Sequence, residues 1–414
     1  MPALESKAPK KKILFVDDEP LILEGLQRIL RPQRKDWEMG FVVSGDAALS
    51  ALEGNHFDVI VTDMRMPGMD GAQLLTSVKE RFPGVIRIVL SGFFEKEAAL
   101  RAVAVAHRFL AKPCDPKDLR DTIERCCTLS SGLDDDDVRF GAGAIGELPS
   151  LPGRCARLIE ALENPEVAIT EVSRIVEQDV ALTAKVLQLV NSAFFGPSQE
   201  IINIRAAVSY LGLDILKALV LSAEVLKVFQ PQNGVPGFSY EAFQAHSYLT
   251  ASIASRLPVP QNLVSSTRVA ALLHDTGLLV LSTRLPEKFR LALSIAAKEQ
   301  RPLYRVEQEV NGFTHADVGA YLLGIWGLPQ PILDGVRNHH HVCSGASEIS
   351  GFDTPRAVQI ADLLAHEQQA GQEAGLYPSA HDDFDADWLA ATGLAPEVPA
   401  WRAMASELAE ATVF

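Results

Sequence analysis

The 414-residue sequence is short of cysteine, of aromatic side chains and of positive charge. Its cysteines (Cys114, Cys126, Cys127, Cys155, Cys343) show neither the CxxC spacing of a metal site nor the density of a disulfide framework, which fits a reducing compartment. Cys126-Cys127 reads as a helix-end pair with one buried thiol. Aromatic residues make up only 7%, and no basic residues interleave with Phe194-Phe195 or Trp326. These aromatics read as core anchors, not as a base-stacking platform. Lys and Arg number 38 against 53 Asp and Glu, and the resulting net charge of −15 disfavours nonspecific binding to nucleic acid or anionic membranes. No segment reads as a recognition helix with basic flanks, so direct DNA binding is not expected. No apolar run is long enough to span a bilayer, and Asp275 with its polar neighbours interrupts the longest. Lys7, Lys10, Lys11 and Lys12 are followed by a strand and not by an apolar signal region. The expectation is a cytoplasmic protein with no membrane attachment.

What the chain does contain is ordinary globular composition, 47% hydrophobic and 22% charged, at a length that suits more than one domain. Residues 1–128 alternate apolar β-branched runs with amphipathic helices. Strands are expected at Lys12–Val16, Glu38–Val43, Val59–Thr62, Ile86–Leu90 and Arg108–Ala111. Helices are expected at Leu21–Leu30, Asp46–Glu53, Ala72–Phe82, Lys96–Val105 and Lys117–Cys127. That alternation predicts a five-stranded, doubly wound parallel sheet. Residues 129–147, with the self-repelling run Asp134–Asp137, read as an acidic linker. From Leu148 onward the periodicity is helical. Ile169-Thr170 reads as an N-cap, Asp179–Ser192 as a strongly apolar helix and Val269–Leu281 as a single helix. Residues 346–414 read as a helix at Pro355–Gln369, a Gly-rich acidic loop and a short helix around Trp401, packed on the same domain.

The strand ends carry the chemistry. The first strand runs into Asp17-Asp18, the third into Asp63, the fourth into Ser91 and the fifth into Lys112. Pro67, Gly68 and Gly71 stop the third strand and shape a loop before the next helix. Open parallel sheets place their sites at these carboxyl ends. Repulsion among Asp17, Asp18 and Asp63 calls for a divalent cation, and all-oxygen ligation suits Mg²⁺. Lys112 and Ser91 suit a phosphoryl group, one as a charge and the other as a donor.

These motifs resemble the receiver domain of two-component response regulators, a flavodoxin-like fold. The resemblance implies that Asp63 is the phospho-accepting residue and that Asp17 and Asp18 are the acidic pair. Mg²⁺ would be held by Asp18, Asp63 and the Arg65 carbonyl, with Asp17 acting through water. Ser91 takes the place of the switch hydroxyl, Phe109 that of the switch aromatic, and Lys112 that of the family's lysine before a cis proline. A cognate histidine kinase is implied as partner, and a homodimer through the receiver is one consequence to look for.

The helical half concentrates polar residues on apolar faces. His246 shares a face with Phe243, Leu249 and Ile253; His274 and Asp275 interrupt an apolar run; His315 shares a face with Val318 and Leu322. His339 and His340 follow Val336 by three and four residues and should face inward, leaving His341 outward. Asp362 follows Val358 by four. Buried polar groups need partners, so such a convergence is either a hydrogen-bonded core or a metal site.

The segments Leu148-Pro-Ser-Leu-Pro, Asp179–Ser192, Ala206–Leu213, Leu272-Leu-His-Asp-Thr-Gly-Leu and Trp326-Gly-Leu-Pro resemble the HDOD domain, an all-α output module related to HD metal-dependent phosphohydrolases. The resemblance spans 148–345 in this reading. It implies one metal at His246, His274, Asp275 and Asp362, and a second at His315, His339 and His340 with Asp275 bridging, the metal being Fe or Mn. A bridging water would then attack a phosphodiester. Three departures oppose turnover. Leu278 stands where active cyclic-dinucleotide phosphodiesterases carry Lys, Ala242 where they carry Glu, and no Gly-Tyr-Pro follows His340. The readings left open are a hydrogen-bonded core, a bound metal without turnover, and residual phosphohydrolase activity. The expectation is a phosphorylation-dependent response regulator whose HDOD domain is a non-catalytic signalling module with a downstream protein or nucleotide-signalling partner. The alternative is a phosphorylation-gated HD-type hydrolase of a nucleotide or cyclic dinucleotide.

Overall fold

The computed structural model describes residues 10–92, 102, 105–131, 152–164, 166–192, 200–221, 235–340, 352–369 and 383–411. They fall into two compact units. The first is built on a five-stranded parallel sheet in the order β2-β1-β3-β4-β5. Its strands are β1 (Lys11–Val16), β2 (Trp37–Val42), β3 (Val59–Asp63), β4 (Ile86–Gly92) and β5 (Arg108–Lys112). Every residue of β3 is buried, as are Ile13 to Val16 of β1. Central strands covered on both faces take continuous apolar runs instead of alternation.

The helices of this unit are α1 (Pro20–Ile29), α2 (Gly45–Gly54), α3 (Gly71–Arg81) and α4 (Pro116–Ser131). Ser44 caps α2 by accepting from Ala47 N, and Asp70 caps α3 in a reciprocal box with Gln73. Most of the expected helix at Lys96–Val105, and the acidic linker after Ser131, lie outside the described residues. A 3-10 turn at Arg31–Lys35 separates α1 from β2 and was not anticipated. The Cys126-Cys127 expectation needs correction. α4 continues past the pair to Ser131, and both cysteines are buried.

The second unit is helical: α5 (Pro152–Glu163), α6 (Ile169–Val176), α7 (Val180–Val190), α8 (Ile204–Leu211), α9 (Leu213–Leu221), α10 (Tyr240–Ala254), α11 (Val264–Leu273), α12 (Thr276–Arg284), α13 (Pro286–Glu299), α14 (Leu303–Asn311), α15 (His315–Ile325), α16 (Gln330–Asn338), α17 (Thr354–Gln369), α18 (Ala386–Thr392) and α19 (Val398–Ala411). Every residue of α7 is buried, and Asp179 caps it by accepting from Leu182 N. α6 begins at Ile169 with Ala168 at the N-cap and no side-chain cap, so Ile169-Thr170 is the first turn and not the cap. Phe352 packs edge-on against Trp388 and Trp401, which ties the last helices to α17.

Two features of this unit set up its site. The run expected as one helix over Val269–Leu281 breaks at His274-Asp275, between α11 and α12. The turn-forming Asp275-Thr276-Gly277 accounts for the break, which hydropathy alone does not register. Glycines then bring helices together. A Cβ on Gly277 would overlap the carbonyl oxygen of His315, so α12 meets α15 at backbone contact. A Cβ on Gly335 would lie 2.6 Å from Ala270 Cβ and 2.8 Å from Thr354 Cγ2, so α16 seats against α11 and the start of α17.

Candidate functional sites: a strand-end carboxylate cluster and a buried histidine–aspartate centre

Strand order reverses between β1 and β3, and pairing of Val16 with Thr62 brings Asp17 and Asp63 side by side where the strands end. Gly92 pairs with Lys112, which carries the lysine to the same edge. Lys112 Nζ donates to Asp17 Oδ2 at 2.7 Å and also pairs with Asp63 Oδ1. Asp63 Oδ2 accepts from Arg65 N at 2.9 Å, and Asp17 Oδ1 accepts from Glu19 N at 3.0 Å. Burial lifts the Asp63 carboxyl above the ordinary aspartate range, with Lys112 pulling against it. Burial pulls the Lys112 ammonium down, but its bonds to Asp17 and Asp63 hold it above its ordinary value.

Asp18 is half-buried at the same strand end, and Phe109 is buried in β5. The Lys112–Pro113 peptide is cis. Ser91 is placed by its backbone in β4, opposite Ala111, and its side chain lies outside the described residues. A Cβ on Gly71 would overlap the Asp63 carbonyl oxygen, so α3 starts directly beneath the β3 end. Three carboxylates against one ammonium leave negative charge uncompensated, so the oxygens fit a hard divalent cation.

The second centre lies where α10, α11, α12, α15, α16 and α17 converge. His246, His274, His315 and His339 are wholly buried, Asp275 and Asp362 nearly so, and His340 is half-buried. Their ring orientations share one rule. Each Nδ1 is tied to an outward acceptor: His246 to Gln369 Oε1 (2.9 Å), His274 to Ala271 O (2.7 Å), His315 to Glu307 Oε2 (2.7 Å) and His339 to Val336 O (2.6 Å). That places the proton of a neutral ring on Nδ1 and turns each Nε2 lone pair inward.

The inward atoms meet carboxylate oxygens. His274 Nε2 lies 3.3 Å from Asp275 Oδ2 and 3.4 Å from Asp362 Oδ1. His246 Nε2 lies 2.9 Å from Asp362 Oδ1. Asp275 turns its other oxygen to His315 Nε2 (3.2 Å) and His339 Nε2 (3.7 Å), while His340 Nε2 approaches His315 Nε2 at 2.9 Å. Asp275 therefore reaches both halves of the cluster, one oxygen to each. His274 Nε2, His339 Nε2 and Asp275 Oδ2 are buried without a hydrogen-bond partner. Acceptors turned on acceptors repel unless protons or cations lie between them.

The protonation equilibria show the same strain. Burial disfavours a charged His274, but Asp275 and Asp362 hold its pKa well above the ordinary histidine value. Burial likewise opposes, and Glu307 and Asp275 override, at His315, which is pushed up to about 10. Asp275 and Asp362 are held well below the usual carboxylate range against burial, chiefly by His274 and by His366 respectively. Burial pushes His339 down, and it pushes His340 well down with help from His339.

The site residues expected from sequence in the helical half thus come together, and residues not anticipated join them. Glu307 is buried on α14 and accepts from both the backbone N–H (2.8 Å) and the ring of His315. Its signal was available: it follows Leu303 by four on an apolar face. His366 follows Asp362 by four, is buried, and packs its ring, tilted, with its centroid 4.3 Å from that of His246. Tyr304 stacks on His340 with centroids 4.3 Å apart. Leu278, where the hydrolases' lysine would stand, is wholly buried. His341 lies outside the described residues.

A parallel sheet with a carboxylate cluster at its switch point, followed by a helical unit with buried histidines, defines a signalling protein with a receiver. Residues 13–124 match the response regulator receiver domain and residues 148–342 match the HDOD domain. The chain thus carries a receiver domain followed by an HDOD domain, and the pairing supports a response regulator. It is 29% identical over 201 residues to an uncharacterized protein of Treponema pallidum, covering 49% of this chain and 39% of that one. It is 30% identical over 179 residues to the hydrogenase transcriptional regulatory protein HoxA of Bradyrhizobium diazoefficiens, covering 39% of this chain and 36% of the relative. The matched stretches thus span well under half of these curated relatives. Among solved structures, the MmoQ response regulator of Methylococcus capsulatus aligns with 62% of this chain and 98% of its own at 20% identity and a TM-score of 0.48. A signal receiver domain of an HD domain-containing protein from Pseudomonas fluorescens aligns with 28% of this chain and 94% of its own at 28% identity and a TM-score of 0.27.

Proposed function

We propose that Asp63 accepts a phosphoryl group and that its phosphorylation state controls a metal-holding, non-catalytic HDOD module. The observation that carries the receiver half is the Lys112 ammonium shared between the Asp17 and Asp63 carboxylates. One Asp63 oxygen is anchored by Arg65 N–H, which leaves the Lys112-facing oxygen to attack phosphorus. Asp17, Asp18, Asp63 and the Arg65 carbonyl would hold Mg²⁺, which supplies charge neutralisation between the incoming phosphoryl oxygens and the carboxylates. The phosphoryl group adds local negative charge that draws Lys112 and Ser91 inward, and Phe109 follows. The donor is a histidine kinase, the partner a receiver domain implies, or a small phosphodonor. The responding surface is that of a second receiver or of the HDOD domain. Operation in the cytoplasm is part of this reading; among the described residues no helix is long and apolar enough to cross a membrane.

In the HDOD domain the inward Nε2 atoms and the two aspartates fit a divalent transition metal, Fe or Mn in the family's manner. A metal there supplies Lewis acidity. Outward bonds from Glu307, Gln369 and two backbone carbonyls hold the rings in ligating orientation. A non-catalytic role is supported by Leu278, which puts an apolar side chain where the hydrolases have a cation. The rival reading, a phosphorylation-gated hydrolase of a cyclic dinucleotide, gains support if the metal-loaded chain turns such a substrate over and His274→Ala does not.

Acetyl phosphate with Mg²⁺ tests the receiver assignment by mass spectrometry of the full chain. A single phosphoryl group is expected on the peptide containing Asp63, lost in Asp63→Asn and on chelation of Mg²⁺. Undiminished labelling of Asp63→Asn would contradict the assignment.

A further inference from the structure

His366 is the one buried histidine of this cluster that the receiver–HDOD reading leaves without a role. It sits one helical turn beyond Asp362 on α17, and its Nε2 lies 3.3 Å from Asp362 Oδ1. The same oxygen is approached by His246 Nε2 at 2.9 Å and by His274 Nε2 at 3.4 Å. Atoms bound at about 2.0–2.1 Å to one tetrahedral ion lie roughly 3.3 Å from each other, an edge length that follows from the bond lengths. His366 and His274 stand at about that edge from the shared oxygen, and His246 stands closer, at hydrogen-bond distance.

The other half of the cluster is built differently. His315 Nε2 is 3.2 Å and His339 Nε2 3.7 Å from Asp275 Oδ1, and His340 Nε2 is 2.9 Å from His315 Nε2. Here two imidazoles face one Asp275 oxygen, and His340, next to His339 in sequence, faces His315 instead. The ligand atoms of His246, Asp362 and His366 lie within 4.8 Å of one another, as do those of His315, His339 and His340.

We infer that His366 is a metal ligand at the position of His246, His274 and Asp362, with Asp275 linking that position to a second one at His315, His339 and His340. This rests on the reading that the domain binds metal at all, and deepens it by assigning a ligand and a donor class. Three imidazoles and one carboxylate favour zinc, cobalt or ferrous iron over magnesium or calcium, whose preference is for oxygen. Ala242, one turn before His246, offers no donor, so the nitrogen that completes the first position comes from α17.

The test uses the full chain stripped with chelator, loaded with Zn²⁺ for elemental analysis and titrated with Co²⁺ for its visible absorption. The wild type is expected to take about two ions per chain, with the cobalt absorption changing at each increment. His366→Phe keeps a ring against His246 and removes the nitrogen; it should hold about one ion firmly and the other at least tenfold more weakly. His366→Asp, which restores an oxygen donor, should recover the second ion. Two firmly held ions in His366→Phe would overturn the assignment of His366 while leaving metal binding intact. A wild type that takes no ion would overturn both. If His366→Phe does not fold, His366→Gln takes its place, and two firmly held ions in that variant would equally overturn the assignment.

Discussion

Lys112 holds two carboxylates that would otherwise repel each other. Its truncation to Ala should therefore do more than remove a phosphoryl contact. Lys112→Ala is expected to leave Asp17 and Asp63 buried and facing each other, and to slow acetyl-phosphate labelling of Asp63 by an order of magnitude or more; labelling at the wild-type rate would remove Lys112 from the site. Glu307 is a positioning residue that acts through His315. Its replacement by Ala frees the ring to rotate, and zinc affinity measured against a competing chelator should fall about 10–100-fold, whereas Glu307→Gln should recover part of the loss.

The thiols give a pH-dependent prediction. Burial, with Asp118 and Asp115 nearby, pushes Cys114 to about 11, and burial beside Cys126 pushes Cys127 to about 12. A raised folded pKa contributes stability that is complete below the ordinary value of 9.0 and lost as pH rises through about 11 and 12. Iodoacetamide at pH 8 should spare the buried Cys127 in the folded chain and modify it after denaturation; fast labelling of Cys127 in native protein would contradict the burial.

The candidate residues that come together in both halves stand out in the sequence because each breaks a pattern: an acid at the end of an apolar strand, a histidine on an apolar helix face. Glu307 and His366 break the same pattern but belong to no motif shared with the others. The spacing from Asp362 to His366 was as informative as that from Val336 to His340.

At the scale of elements, the helical site is made by a break and by close contacts. An uninterrupted helix through His274 and Asp275 would turn adjacent side chains about 100° apart on the helix surface. The interruption between α11 and α12 lets both reach Asp362 and His315, and Asp275 caps no backbone group at the start of α12. Sequence periodicity joined these helices because apolar residues continue on both sides. The strands of the sheet were legible to within a residue or two because β-branched runs and turn residues alternate cleanly. Gly277 has no such signature, and only the packing of α12 on α15 shows why a side chain is excluded. Gly277→Ala should cost at least the roughly 1–3 kcal/mol of ordinary overpacking, since the overlap is with backbone and not with a flexible chain end. Urea denaturation measures it, and an unchanged midpoint would show that the helices are not held at that contact. The same variant should loosen His315 relative to Asp275 and weaken metal binding even under conditions where it remains folded.

At the scale of the whole molecule, the proposed phosphorylation of Asp63 in one domain would act on the proposed metal-holding core of the other. The net charge of −15 disfavours nonspecific binding to nucleic acid. The central claim is that phosphorylation of Asp63 is felt in the HDOD domain. Hydrogen–deuterium exchange on the full chain, with and without beryllofluoride and Mg²⁺, tests it most directly. Altered protection is predicted both in the receiver and in HDOD helices such as Tyr240–Ala254 or Thr354–Gln369, present in wild type and lost in Asp63→Asn. Changes confined to residues 10–131, with the helical domain exchanging identically in both states, would contradict it.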